Sequence, residues 1–554
     1  MSSTESQTVP PKAIQSAKPG KPVKPKGIRQ TMSDLHIWTG LLVGWILYAM
    51  FLTGTVAYFR DEMSAWMRPE LPAAVQREDA AIVAQRLVDA MAREHAPGAP
   101  QWTITLPTPR NATASAFWRN PPGEGPRFGN GVFDATSGQR LQARETRGGD
   151  FFYAFHFNFH YMPVLWARWL AGFCAMFMLV AIVSGVITHK KIFADFFTFR
   201  WGKGQRSWLD GHAALSVLGL PFHFMITWSG LVTLMLLYLP FASDVAFQTP
   251  QQRQQLTAEM SAFVPAGPPS GQAAELAPIA PMVQKARQHW QGQQVGRITI
   301  HNPGDASARV TLVPSEQGRV STSPRYIVFH GTTGDIMETK DRVGAAAETR
   351  GVLYGLHLGR FADTVTRWMY FLVSLAGTAM VGSGLVLWTV KRRTKLPDPL
   401  KPYFGFALVE RLNVAAIAGL SAAMAAFFWC NRLLPLHTAE RAQWEIHGFF
   451  IVWAGTLAWA LVRPAKKAWV ELLALATVLL ALLPVLNAFS TDRPLWRSLW
   501  GGDWVFAGFE LSLLAFAALH AHLAWRTHQY QPKAKPVRKT KPTAKAIEAE
   551  GEMA

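Results

Sequence analysis

The sequence has 554 residues, is about half hydrophobic, and carries a formal net charge of +19. Its two cysteines, Cys174 and Cys430, are too few for a disulfide framework or an iron–sulfur cluster. The positive charge is concentrated in the two tails and in short segments between apolar stretches. It therefore indicates membrane topology, and we predict no nucleic-acid partner.

Eight apolar stretches predict membrane-spanning helices, because about 20 apolar residues cross a hydrocarbon core of about 30 Å. They lie near 33–59, 163–189, 211–242, 366–390, 405–429, 444–462, 468–488 and 503–525. If the spans alternate, the segments rich in lysine and arginine all fall on one side, which places both termini in the cytoplasm. The first stretch follows about thirty polar residues and is too long for a cleaved signal, so we expect it to remain as an anchor in a bacterial inner membrane.

Between these spans, two segments predict small α+β modules in the periplasm. The first combines an amphipathic helix with three strands, at Ala80–Glu94, Trp102–Leu106, Thr113–Trp118 and Gly131–Asp134. The second repeats this order at Pro278–Trp290, Gly296–His301, Ala308–Val313 and Arg325–His330. The stretch Gln248–Gln272 is rich in Pro, Gly and Gln and is typical of a linker.

The predicted fold is therefore a mainly α polytopic membrane protein with about eight transmembrane helices and two α+β modules inserted in a duplicated helix pair. In chain order we predict a disordered basic cytoplasmic tail (1–30), the first span (31–60), the first module (61–162), the second span (163–190), a cytoplasmic loop (191–210), the third span (211–242), the second module (243–365), the fourth span (366–391), a C-terminal four-helix membrane module (405–526) and a basic cytoplasmic tail (527–554).

The duplication is visible in the sequence, since Met32–Arg200 and Trp208–Arg393 carry the same features in the same order. These are His36/Gly54 and His212/Gly230, both 18 residues apart, Val132–Gly138 and Val328–Gly334, Glu145–Gly148 and Glu348–Gly351, Tyr153/His156 and Tyr354/His357, Arg168-Trp169 and Arg367-Trp368, and Ser184-Gly185 and Ser383-Gly384. A parallel repeat brings equivalent residues face to face across a pseudo-two-fold axis. We therefore predict that His36 pairs with His212 and that His156 pairs with His357.

These pairs predict two separate metal sites. Ionisable residues at span ends are costly in a membrane and usually functional. His36 and His212 should share a depth near the cytoplasmic face, whereas His156 and His357 should lie near the periplasmic face. A pair of histidines is the ligand set of a b-type haem, so the sequence predicts two haem b groups, one near each face.

Other histidines compete for these positions. His223 follows His212 by three helical turns along the same helix face, about 16 Å deeper. It either binds a haem or satisfies a buried polar contact. His160 lies one turn beyond His156 and is an alternative to it, while His189 is an alternative ligand at the cytoplasmic face or a partner for a haem propionate. The His156-x3-His160 spacing also suits zinc, but the HExxH glutamate is absent.

Four glycines at equivalent positions of the repeat, Gly54, Gly185, Gly230 and Gly384, predict close packing of helices, with room for a porphyrin face as the alternative. The chain has no Gly-rich dinucleotide fingerprint and no P-loop. Electrons should therefore come from a separate donor, either a quinol or a cytoplasmic reductase.

Several motifs together resemble the PepSY-associated transmembrane family over about residues 30–395. They are Asp34–Leu41, Phe133-Asp134 with Thr136–Gly138, Arg168-Trp169 with Ser184-Gly185, Leu209–His212 and Pro221–His223. The resemblance implies a role in bacterial iron acquisition, as an inner-membrane di-haem reductase of ferric siderophores. It also implies that His36, His212, His156 and His357 are haem ligands, with a weaker match at His160, His189 and His223. The last four spans extend beyond the compact form of the family, which leaves their role open.

The expected function is thus a haem-dependent reductase that passes electrons to a periplasmic ferric siderophore or other ferric chelate. Reduction releases iron because a hard oxygen chelator holds Fe(II) far less tightly than Fe(III). Phe151, Phe152, Phe155 and Tyr354 are candidates to line the approach of the chelate. Two alternatives are a non-redox anchored binding or regulatory protein and a transporter component. The sequence does not identify the chelate, the donor or the oligomeric state.

Overall fold

The computed structural model describes residues 26–73, 78–121, 123, 126–189, 196–200, 202–399 and 401–531. The two predicted tails, 1–30 and 527–554, lie mostly outside these residues. Helix α1 begins at Ile28, within the tail that was predicted to be disordered. Where the chain is described it is mainly helical, and it carries one antiparallel sheet. The predicted fold class is confirmed.

The helices of the duplicated part are α1 (Ile28–Ala57), α2 (Arg60–Trp66), α3 (Ala80–Ala90), α4 (Asp150–Asn158), α5 (Val164–Thr188), α6 (Gln205–Leu218), α7 (Leu220–Thr233), α8 (Met235–Tyr238), α9 (Pro240–Ala246), α10 (Pro250–Met260), α11 (Ile279–His289), α12 (Ala345–Leu358) and α13 (Thr364–Arg393). The C-terminal part contains α14 (Phe404–Val414), α15 (Leu420–Leu433), α16 (Arg441–Val462), α17 (Ala465–Ser490), α18 (Leu495–Trp500) and α19 (Trp504–Gln529). A π-helical turn, Ala415–Gly419, joins α14 to α15 in one span.

Among the described residues, seven helical spans are long and apolar enough to cross a membrane, and the pair α6–α7 forms an eighth if it is counted as one broken span. The predicted third span, 211–242, is broken at Gly219-Leu220-Pro221, where the sequence also carries a break signal. The axis bends by 68° between Leu218 and Leu220, and α7 ends at Thr233. Pro221 explains the break, because proline donates no backbone hydrogen bond and is tolerated only in the first turn of a helix.

The predicted linker Gln248–Gln272 contains a helix, which is a second correction. Helix α10 starts with a capping box, in which the Thr249 side chain accepts a hydrogen bond from the Gln252 backbone and the Gln252 side chain accepts one from the Thr249 backbone. The glutamines that suggested a linker are good helix formers once the first turn is capped.

The two modules share one sheet. Its strands are β1 (Gln101–Thr105), β2 (Ala114–Arg119), β3 (Phe128–Phe133), β4 (Arg140–Leu141), β5 (Val295–His301), β6 (Arg309–Pro314), β7 (Tyr326–His330) and β8 (Ile336–Lys340). The order among the described residues is β4-β3-β2-β1-β5-β6-β7-β8. Antiparallel pairing of β1 with β5, centred on Thr103 opposite Thr299, joins the modules across the pseudo-two-fold axis.

One face of this sheet is covered by α3 and α11, and the other face is turned away from them. Trp102 and Ile104 of β1, together with Ile298 and Ile300 of β5, are buried against the helix layer. The alternation of strand side chains leaves Thr103, Thr105 and Arg297 on the opposite face. The polar face of the sheet is therefore free to line a site, while the apolar face holds the two modules together.

A pair of cysteines tests the shared sheet. In a Thr103→Cys/Thr299→Cys variant, the two side chains lie directly opposite each other on neighbouring strands, at a spacing a disulfide can bridge. We expect oxidation to yield an intramolecular bond, seen as faster migration on a non-reducing gel. Thr103→Cys/Thr311→Cys is the matched control, because Thr311 is one strand farther away. Equal cross-linking of both pairs, or none of either, would contradict the shared sheet.

Candidate functional site: two histidine pairs

The structure brings together the two pairs of histidines that the repeat predicts. His36 of α1 faces His212 of α6, with ring centroids 6.2 Å apart, and we name these two the sheet-distal pair. His156 of α4 faces His357 of α12, with ring centroids 6.3 Å apart, and these form the sheet-proximal pair. Each pair takes one histidine from each copy of the repeat.

Both separations fit two ligands of one metal ion. Imidazoles that bind a metal from opposite sides, each through a bond of about 2 Å with the ring centre about 1.2 Å farther on, have ring centres about 6.4 Å apart. Aromatic rings that merely pack against each other also have centroids 4.5–7 Å apart, a range that includes both observed distances. Distance alone is therefore compatible with a ligand pair, and the hydrogen bonds decide further.

All four imidazoles are held in the same way, by a hydrogen bond from Nδ1 to a backbone carbonyl of a neighbouring helix in the same copy. The bonds run from His36 to Ala181 (2.8 Å), from His156 to Met50 (2.5 Å), from His212 to Met380 (3.0 Å) and from His357 to Ile226 (3.0 Å). A carbonyl can only accept, so Nδ1 carries the proton and Nε2 keeps its lone pair. This is the arrangement that orients a metal-binding histidine.

The four repeat-related glycines explain how each ring reaches its carbonyl. Every glycine lies four residues after the accepting residue, as in Met50 and Gly54. In a helix the Cβ of residue i+4 leans back over the carbonyl of residue i. A Cβ at the glycine would meet the paired histidine ring at 2.7 Å (Gly54), 3.1 Å (Gly185), 3.0 Å (Gly230) and 3.2 Å (Gly384).

The glycines therefore admit the histidine rings, whereas the sequence predicted that they bring helices together or make room for a porphyrin. The signal was present in the sequence as the equal 18-residue spacing between histidine and glycine in both copies. The spacing could not be interpreted from the sequence, because each glycine contacts a different histidine from the one 18 residues before it. Gly54, for example, contacts His156 and not His36.

This packing makes a testable prediction for Gly54→Ala. The added methyl group would overlap the His156 ring, so we expect the ring to leave the Met50 carbonyl and the sheet-proximal pair to lose its present geometry. The matched control is Gly40→Ala on the same helix, where nothing lies within 4 Å of the new Cβ. That control should gain up to about 1 kcal/mol of helix stability. Haem content per chain is the measurement, and equal content in both variants would contradict the assigned role of Gly54.

The secondary candidates lie apart from the pairs. Helix α4 ends at Asn158 and Phe159 has φ 40°, so His160 does not continue the face of His156 as predicted. Its Nε2 is 2.9 Å from the side-chain nitrogen of Gln443, and its ring stacks on Phe450. The structure therefore does not place His160 on the face where it would replace His156.

His189 and His223 occupy different surroundings. His189 follows the last residue of α5, one turn beyond the Gly185 that contacts His36, so it lies toward the sheet-distal end. His223 is buried between the two pairs, where its Nε2 lies 3.3 Å from the Val373 carbonyl. Within the described chain, its Nδ1 has no hydrogen-bond partner. The 68° bend at Gly219 removes the predicted common face of His212 and His223.

The described residues contain no group of three or more His, Cys, Asp and Glu side chains placed to hold a metal ion. The alternative zinc site, which needs His156 and His160 on one helix face, therefore has no further ligands in this part of the chain.

A cavity of about 670 Å³ connects the sheet-proximal pair to the sheet. Its lower part is lined by His156, His357, their two glycines and apolar side chains such as Met178. Its upper part is bounded by the polar face of the sheet, including Thr105, Ser115 and Arg297. This volume lies within the usual range for small-molecule and cofactor sites.

Tyr153 and Tyr354, which lie one turn before the two histidines, both line this cavity. Burial, with a smaller contribution from the neighbouring Tyr153, raises the pKa of the Tyr354 phenol. Tyr354 therefore remains a neutral hydrogen-bond donor at physiological pH. The guanidinium groups of Arg60 and Arg350 lie over the Tyr153 and Tyr354 rings at 4.9 Å and 5.3 Å, respectively.

The other three aromatic residues predicted to line an approach do not do so. Phe151, Phe152 and Phe155 are buried, and they pack against Phe427 and Phe449 of the C-terminal helices. They fix α4, and with it His156, against the C-terminal part of the chain. Sequence reasoning missed this role, because the partners lie almost 300 residues away.

These features define a class of protein: a polytopic membrane protein with a duplicated helix pair, an extramembrane sheet built from both copies, and histidine pairs between the copies. The family model described as "PepSY-associated TM region" matches residues 33–391. The chain belongs to this family, as its sequence motifs predict. A comparison with curated proteins found no match to the chain.

Proposed function

We propose that this protein is a two-haem, b-type membrane oxidoreductase that reduces a ferric siderophore or another ferric chelate on the sheet side of the membrane. The observation that supports it best is the common geometry of four histidines. Each keeps an Nε2 lone pair and lies opposite a partner ring about 6 Å away, ring centre to ring centre, and each is oriented by a carbonyl. Duplicated residues without a shared task would not need four identical hydrogen bonds.

The chain's own residues would do three things in this proposal. His36 and His212 would hold one haem, and His156 and His357 the other, by their Nε2 atoms. The carbonyls of Ala181, Met50, Met380 and Ile226 would fix the rings, while the glycines would leave them room. The bound haems would supply one-electron chemistry.

The two pairs are well separated along the bundle. His36 and Gly54 lie on the same continuous helix α1, 18 residues and therefore about 27 Å apart along its axis. The pairs would thus serve opposite faces of the membrane. We propose the inner membrane, with both termini in the cytoplasm, because the basic segments fall on the side away from the sheet. The electrons would come from a quinol or from a cytoplasmic reductase.

The cavity above the sheet-proximal pair would receive the chelate. It extends from His156 and His357 to the polar face of the sheet, so a ligand in it would lie next to the electron donor. One electron added to Fe(III) gives Fe(II), which a hard oxygen chelator binds far less tightly.

An absorption spectrum and a reoxidation assay test the proposal. Purified protein in detergent should show reduced b-type Soret and α bands with about two haems per chain. After anaerobic reduction, a ferric chelate should reoxidise the haems with one Fe(II) released per electron, trapped by a chromogenic Fe(II) ligand. A colourless preparation would refute the haem sites. A coloured preparation that no ferric chelate reoxidises would refute the reductase activity.

A second candidate, a transport component for the chelate itself, is favoured by the broken span. Discontinuous helices with polar groups at mid-membrane are typical of transporters. The bend at Gly219 and the buried His223 with its unbonded Nδ1 have this character. Proteoliposomes would separate the two functions, since a transporter accumulates a gallium(III) chelate that cannot be reduced, whereas a reductase does not.

A further inference from the structure

The upper part of the cavity is strongly cationic. Six arginines line the cavity, whereas only two acidic residues, Asp61 and Glu316, do so. The arginines are Arg60, Arg110, Arg297, Arg319, Arg325 and Arg360. Such an excess in a partly enclosed space attracts anions, because low-dielectric walls focus the field.

Three of these arginines are neutralised by neighbouring carboxylates. Arg60 and Arg110 both pair with Asp61, at 3.5 Å and 2.9 Å, and Arg360 pairs with Glu316 at 2.9 Å. These three arginines are already held by acidic side chains of the protein. They are therefore not the groups that remain available to a ligand.

The other three, Arg297, Arg319 and Arg325, all belong to the second module, and we name them the arginine roof. Among the described residues neither Arg297 nor Arg319 forms an ion pair, although Glu348, which accepts a hydrogen bond from the Ser323 hydroxyl at 2.5 Å, is an acidic group near Arg319. Arg319 donates only to the backbone carbonyl and hydroxyl of Ser323, at 2.8 Å and 2.5 Å. Arg325 lies 3.9 Å from Asp341, and its buried Nε has no partner in the described chain.

We propose that the arginine roof binds a multiply anionic ferric chelate, one that presents carboxylate or catecholate oxygens, and that it discriminates against uncharged hydroxamate chelates. This inference rests on the proposed function, which supplies the ferric chelate as the ligand. It adds that the chelate is negatively charged. Guanidinium groups donate paired N–H hydrogen bonds to planar oxyanions. Uncharged hydroxamate chelates do not present such anionic groups. Arg297 points from strand β5 on the polar face of the sheet, and the other two flank it from the β6–β7 connection.

The test is binding of redox-inert gallium(III) complexes to the full-length, haem-loaded protein in detergent. Gallium(III) citrate is the anionic probe, and the gallium(III) complex of a linear trihydroxamate is the probe without negative charge. We expect the citrate complex to bind at least about tenfold more tightly at low salt, and this preference to shrink at high ionic strength. Equal affinities at low salt would overturn the inference.

Substitutions assign the preference to the roof. Arg297→Gln and Arg319→Gln are each expected to weaken citrate-complex binding by about tenfold without changing binding of the hydroxamate complex, because each removes a charged hydrogen-bond donor. Arg297→Lys keeps the charge and should lose less. Arg287→Gln is the matched control, since Arg287 lies on α11, on the covered face of the sheet, and pairs with Asp79.

Two results would count against the roof as a chelate site. One is an equal loss of both probes in the glutamine variants. The other is a change in haem content or haem potential with unchanged citrate binding, which would make the arginines partners of the haem propionates. Gallium binding with the expected preference, but no reoxidation by the ferric complex, would leave this inference standing and refute the proposed reductase activity.

Discussion

The His357→Ala variant is expected to lose about half of the low-spin haem signal that the proposed function requires, and His212→Ala the other half. Each substitution would remove one of the two imidazoles that would hold a haem in one pair, and the pairs are separate in the bundle. The remaining partners, His156 and His36, keep their bonds to the Met50 and Ala181 carbonyls and so remain oriented. The double variant should show no six-coordinate haem.

The measurement combines a pyridine haemochrome assay with electron paramagnetic resonance and a redox titration. Two midpoint potentials are expected in the unsubstituted protein, and each single variant should abolish one of them. Imidazole added to the buffer should restore the lost signal, because it can enter the space the side chain vacated. A variant that is merely misfolded would not be rescued in this way.

Two further histidines provide controls. His330 lies in strand β7 and its Nδ1 is 3.0 Å from the Thr332 hydroxyl, far from either pair in the fold, so His330→Ala should keep both haems. His160→Ala should also keep both, because its ring faces Phe450 and Gln443. Loss of a haem in His160→Ala, together with full haem in His156→Ala, would reverse the assignment at the sheet-proximal pair.

The pairing of histidines was predictable because a duplication turns a sequence comparison into a spatial one. Equivalent residues of two parallel copies meet at the axis between them, whatever the details of the helices. The same argument did not reveal the single sheet, since the β1–β5 pairing joins strands almost 200 residues apart and neither edge carries a distinctive pattern. It also did not reveal α4 and α12, the short helices that carry His156 and His357.

Local backbone geometry limited the rest of the sequence interpretation. His160 was expected on the face of His156 because i and i+4 are neighbours on a helix, but Phe159 takes a positive φ that nothing in its side chain favours. At Gly219-Leu220-Pro221 the sequence did contain a break signal, although the span was drawn through it. The size of the bend, 68°, and the close approach of the His223 ring to Gly377 are seen only in the structure.

The C-terminal helices, whose role the family resemblance left open, hold the first copy in place through a buried ion pair. Arg441 and Glu445 lie one turn apart on α16, and their side chains are 1% and 0% exposed. Glu445 accepts hydrogen bonds from the Thr146 hydroxyl and from the Asn431 amide (2.7 Å), while Arg441 donates to the Glu145 carbonyl (3.0 Å). Glu145 and Thr146 lie a few residues before α4, which begins at Asp150, so this network fixes the helix that carries His156.

We therefore expect Glu445→Ala to lower the free energy of unfolding by about 3–5 kcal/mol, because it leaves the Arg441 charge buried without a partner. Replacing both residues, as Arg441→Met/Glu445→Leu, should cost less than the single change, since no unpaired charge remains. Chemical unfolding followed by tryptophan fluorescence gives both values.

The matched control is Glu471→Ala in the same group of helices. The Glu471 side chain is 32% exposed, and that of its partner Arg463 is 38% exposed. An exposed pair contributes at most about 1 kcal/mol. If Glu445→Ala costs no more than Glu471→Ala, the network does not anchor α4. If it does anchor α4, Glu445→Ala should also weaken haem retention at the sheet-proximal pair while leaving the sheet-distal pair unchanged.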